Sequence, residues 1–191
     1  MAPILGIYAS QISGHLFAPS GAYDSIATTT VGAGGASSIT FSSIPSGYTH
    51  LQVRTLSRSD SAGINQLFAR CNSDTGNNYS THGLYTDGGG SAAGNATTST
   101  SRMSMGVHAG ASTTANAFGG AVIDILDYAN GNKYKTIRSL TGIDANGSGW
   151  IWFASGLWMS TSAVSSLTFY PENGNFAQYS QFALYGIKGG N

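Results

Sequence analysis

Apolar residues in this chain recur at every second position, in short runs, almost from end to end. In HLQVRT, Leu51 and Val53 alternate with His50, Gln52 and Arg54. In RMSMGVH, Met103, Met105 and Val107 face one way while Arg102, Ser104 and His108 face the other. SSITFSSI, INQLFAR, GAVIDILDY, KYKTIRSL, GWIWFASGLW, SSLTFY and QFALYGIKG repeat the pattern. Each run is bounded by Gly, Ser, Asn, Asp or Pro, which is the punctuation of antiparallel strands. About nine or ten such strands, with no apolar stripe at helical spacing, predict an all-β protein: an antiparallel β-sandwich, jelly-roll-like.

Three Asn-Gly dipeptides lie between these runs: Asn130-Gly131, Asn146-Gly147 and Asn173-Gly174. Both residue types tolerate the positive φ that a tight hairpin turn requires, so each pair predicts a turn. The first two bracket NKYKTIRSLTGID and predict a meander of three consecutive strands. Residues 1–22 mix small apolar and polar types without alternation and are expected to form an N-terminal arm. Residues 23–191 are then a single sandwich domain. DGGGSAAGNATTSTS, Asp87 to Ser101, is expected to be a low-complexity loop.

The composition narrows the function. Charged residues make up 8% of the chain, against roughly 25% in an average soluble domain. Eight basic and eight acidic residues cancel, leaving no basic surface for nucleic acid. So little charge gives weak protection against association, which points to a subunit whose surface is covered in an assembly. Cys71 is the single cysteine and shares its parity with Leu67 and Ala69, so it is read as a small buried hydrophobe. No apolar run has the length of a membrane span, and the first residues lack the pattern of a secretion signal.

Asp144, Asn146 and Ser148 followed by Gly149 imitate the start of a calcium loop. The bidentate acid that such a loop needs at its twelfth position falls on Ser155, so the segment is read as a turn. His15, His50, His82 and His108 are scattered and are read as surface or hydrogen-bonded residues, not as metal ligands. There is no G-x-S-x-G elbow. The paired-carboxylate chemistry of glycoside hydrolysis would have to draw on Asp124, Asp127 or Glu172, and an exposed position accounts for Asp124 without catalysis. GAGGAS, residues 32–37, has no Lys or following helix to hold phosphate and is read as a linker. The residues thus predict a non-enzyme without catalytic residues, cofactor or metal.

GWIWFASGLW is apolar on both faces. Trp150, Trp152 and Trp158 share one parity, while Ile151, Phe153 and Leu157 share the other. One face is expected in the core; the tryptophan face then needs a cover of its own. That cover would be a second layer of the fold or a partner subunit, the alternative being an exposed platform for sugar rings. Trp150, Trp152 and Trp158 are therefore the expected partner contacts. The arm is the expected docking element, through Pro3, Ile4, Leu5, Ile7 and Tyr8, since an extended arm can add to a neighbour's sheet edge.

The stretches SSITFSSIPSGYTHLQVR, GGAVIDILDYANGNKYKTIRSLTGIDANGSG and FALYGIKGG, with the opening PILGIYAS, resemble small structural proteins of tailed bacteriophages of marine bacteria and cyanobacteria. The resemblance implies a β-sandwich of the virion exterior, assembled in the host bacterial cytoplasm. It leaves open a capsid decoration (cement) protein and a fibre or tail-surface protein. The first would be a homotrimer bound to other virion proteins. The second would bind a receptor or a host-surface glycan.

Overall fold

The computed structural model describes residues 21–189, and these form two antiparallel sheets without a helix. The larger sheet has eight strands. In spatial order they are β1 (Tyr23–Thr30), β12 (Gln181–Ile187), β3 (His50–Ser57), β8 (Gly119–Leu126), β9 (Lys135–Asp144), β10 (Gly149–Trp158), β5 (Tyr79–Thr86) and β6 (Ala93–Thr100). The smaller sheet orders β2 (Ile39–Phe41), β11 (Leu167–Pro171), β4 (Asn65–Cys71) and β7 (Met103–His108). The protein is thus an all-β sandwich of eight strands against four.

The alternation read from the sequence is the alternation of burial. Along β9, Ile137, Ser139, Thr141 and Ile143 are buried, and the residues between them face out. Leu51, Val53, Ile123, Ile125 and Ile137 of the large sheet meet Leu67, Phe169, Met103 and Met105 of the small one. Burying each such side chain stabilises the fold by about 1.5–3 kcal/mol. Cys71 lies in this core, and burial pushes its thiol well above the ordinary range. A second cluster, built from Val107, Ala109, Ile143, Trp152 and Ala154, fills one end of the sandwich.

The meander of β8, β9 and β10 is present, and its second turn is the Asn146-Gly147 hairpin. Asn146 (φ 57°) and Gly147 (φ 107°) both adopt the left-handed region, and Ala145 N–H donates to the Ser148 carbonyl at 2.7 Å. The Asp144 carboxylate accepts from Asn146 N–H at 2.8 Å, so it holds the turn. The other two dipeptides behave differently. At Asn130-Gly131 neither residue has positive φ; Asp127 does. That longer connection is fixed by the buried Tyr128, whose hydroxyl donates to the Pro45 carbonyl, and by the Lys135 ammonium, which donates to three main-chain carbonyls. Asn173-Gly174 does not join neighbouring strands. It starts the passage from β11 to β12, in the other sheet, where Asp60 accepts from Asn175 N–H at 2.7 Å.

Two further expectations are corrected. The segment Asp87 to Ser101 is not a loop, because it contains β6, an edge strand paired to β5. Its sequence AGNATTST has no apolar partner to bury, so main-chain pairing holds it and no alternation announces it. The strand β5 is not among the expected runs; its inward residues Tyr79 and Thr81 are buried, but its polar types hide the period.

Candidate interaction surfaces

The tryptophans lie on the inner face of the large sheet, not on a face awaiting a partner. Trp152 and Trp158 are buried between the sheets. Trp158 stacks on Tyr79, and its Nε1–H donates to Asp74 at 2.8 Å. Trp152 stacks on Tyr85 at 4.7 Å, and the partly exposed Trp150 covers the other side of Tyr85 at 5.2 Å. Room for the Trp152 ring comes from Gly83 on β5, where a Cβ would overlap the indole nitrogen and lie 2.8 Å from its Cε2. Trp152 and Trp158 are therefore not available as subunit contacts. Pro3, Ile4, Leu5, Ile7 and Tyr8, the expected docking residues, lie outside the described residues.

The uncovered apolar face is that of the opposite parity. Register carries Arg54 of β3 across to Val122, Leu140, Phe153 and Leu84 on β8, β9, β10 and β5. The next row runs Leu56, Gly120, Gly142, Ile151 and Thr86. Leu56, Leu84, Val122, Leu140, Ile151 and Phe153 are 40–58% exposed. At the usual strand spacing a row over five strands is about 19 Å long. The glycines leave shallow hollows beside the ridge, one over Gly120 and Gly142 and one beside Gly94. The third row, Gln52, Asp124, Arg138, Ser155 and His82, is polar, and Gln52 donates to Asp124 at 2.8 Å. An apolar ridge with hollows and a polar border has the make-up of a contact surface.

A second feature is a polar groove of about 430 Å³ where β6 overhangs the small sheet. Gln66, Asn77, Asn95, Thr97, Arg102 and Glu172 line it. The Arg102 guanidinium lies 4.1 Å above the Phe68 ring, which forms part of the wall.

The remaining candidates are dispersed. Asp127 pairs with Lys133 at 2.6 Å, which holds its carboxyl below the usual range. His50 Nδ1 accepts from Asp127 N–H at 2.9 Å, and His82 is exposed. His108 departs from the expectation: it is buried, and neither ring nitrogen has a hydrogen-bond partner among the described residues. No group of three His, Cys, Asp or Glu among the described residues is placed to hold a metal ion. Comparison of the chain with protein-family models, with curated proteins and with solved structures gave no match.

Proposed function

We propose that the protein is a non-enzymatic structural subunit of the exterior of a tailed-phage virion, a decoration or cement protein that binds the assembled shell. The observation that carries this reading is the apolar ridge across the outer face of the large sheet. Several half-exposed apolar side chains in register on adjacent strands are costly to leave in water, at roughly 25 cal/mol per Å² of apolar surface. A chain with 8% charged residues has little else to keep such faces apart. Covering the ridge with a neighbouring shell subunit removes that exposure and fits the resemblance to phage structural proteins.

A second reading is a receptor- or glycan-binding module at a fibre or tail tip. The polar groove under β6 and the partly exposed Trp150 favour it. Counting copies in purified particles by quantitative mass spectrometry separates the two. Shell decoration requires copies in the hundreds; a few to a few dozen copies would indicate a fibre or tail component and overturn the decoration reading.

A further inference from the structure

We propose that the groove under β6 is a binding site for a neutral mono- or disaccharide. The inference is independent of how the apolar ridge is covered, since the groove lies on the other side of the large sheet. It starts from strand number. The large sheet extends beyond β7, so the inner face of β6 has no opposing strand and its residues stay open to solvent.

The chain then modifies that open face. Tyr79 pairs with Thr100 and Thr81 with Thr97, so β6 carries one extra residue at a bulge where Ser99 adopts φ 52°. The bulge restores parity, and Asn95, Thr97 and Thr100 all point to the groove side. Bulges re-aim side chains in this way and are enriched near binding sites.

The facing wall is ordered. Ser104 is buried and bonds the Gln66 side-chain carbonyl at 2.8 Å, which leaves the Gln66 amide NH₂ as a donor to the groove. The Arg102 guanidinium is held over the Phe68 ring. Among the described residues, the side chains of Asn77, Asn95, Thr97 and Arg102 make no hydrogen bond within the protein. Glu172 makes one long contact, accepting from Gln66 N–H at 3.4 Å.

The chemistry of these groups selects the ligand. Amides and hydroxyls offer donors and acceptors together, and sugar hydroxyls need both at each position. Arg102 and Glu172 add charge-assisted bonds whose charges cancel, so the lining does not select an anion. The Phe68 face is occupied by Arg102, which leaves no flat surface for a nucleobase. The volume falls in the range of small-ligand sites, about 300–1,000 Å³.

The test is saturation-transfer NMR and titration of the full chain with glucose, galactose, mannose, N-acetylglucosamine and their disaccharides. At least one should bind with a millimolar dissociation constant. Asn95→Ala and Arg102→Ala should each weaken it by about tenfold or more. Asn95 is on an exposed edge strand, so its variant should keep the wild-type melting temperature, while Arg102→Ala, which uncovers Phe68, should lower it slightly and leave the chain folded at the assay temperature. Thr98→Ala, at the bulge but outside the groove lining, should bind like wild type. Absence of binding by every probe, or unchanged binding in both groove variants, would overturn the site. Tight binding of inorganic phosphate in the groove would overturn the neutral-ligand assignment. Neither result would alter the copy number in particles, so the decoration reading stands or falls separately.

Discussion

Gly106→Val is expected to leave little or no folded protein. Gly106 sits at φ 110°, in a bulge of β7 where Met105 and Gly106 together oppose Leu67 of β4. Past the bulge the parity of β7 changes: Met103 and Met105 lie in the main core, whereas Val107, paired with Gln66, joins Trp152 and Ile143 in the second cluster. A Cβ at this position would overlap the Thr141 hydroxyl and lie 2.8 Å from the Thr141 methyl. Thr141 has its own task, because its hydroxyl accepts from Val107 N–H at 3.1 Å, as Thr81 accepts from Ser104 N–H at 3.3 Å. These two threonines satisfy the free edge of β7, which no further strand covers. Pushing Thr141 away therefore adds an orphaned main-chain donor to backbone strain and overpacking. Each of the three costs about 1–3 kcal/mol, against a total stability of about 5–15 kcal/mol for a typical domain. Soluble yield and the urea midpoint check this; a wild-type midpoint would contradict it.

Acid should destabilise the protein from about pH 6.5 down to about pH 4, and His108 should account for most of that loss. Burial holds the imidazole at about 4, well below its ordinary 6.5. The ring packs on Phe176 at 5.8 Å, and Asn65 stands across the ladder from it. A depressed histidine means that the unfolded chain binds a proton that the native chain refuses. Stability is therefore full above the ordinary value and falls as pH drops through the window, by about 3 kcal/mol in all. Below about pH 4 the native ring protonates too, and the decline passes to carboxylates such as Asp60 and Asp74, both held low by hydrogen bonds. His108→Leu should remove most of the slope above pH 4. It should also raise stability at pH 7, because two unpartnered ring nitrogens are replaced by apolar surface. Urea midpoints measured from pH 7 to 4.5 decide this. An equal slope in the variant would show that other groups carry the acid response.

The strands that could be read from the sequence are those that bury one face. The runs around Leu51, Ile123, Ile137 and Phe182 declare their period because every second residue must be apolar. β6 escapes the same reading because an uncovered edge strand imposes no such requirement. Turns show the same limit. Asn146-Gly147 matches its dipeptide signal, whereas the connections at Asn130 and Asn173 are fixed by bonds to distant segments, Tyr128 to Pro45 and Asn175 to Asp60, which no local pattern reveals. For the tryptophan strand, parity separates the two faces but does not say which one meets the core. The small Ala154 and Gly156 between the tryptophans were the available clue, since rings pack closely only where their neighbours are small. The apolar ridge was beyond reach for a different reason. Val122, Leu140, Phe153 and Leu84 come from four strands, and only register aligns them.

The claim that this ridge docks onto a shell is tested most directly by occupancy on purified particles. Leu140→Glu combined with Phe153→Lys alters two half-exposed residues that face each other across β9 and β10 at the ridge centre, so the new charges pair and the fold is left largely unaffected. Thr40→Glu, on the exposed outer side of the small sheet, serves as the control. The account predicts that the folded double variant is lost from particles while the control binds like wild type. Full occupancy by the double variant would contradict it.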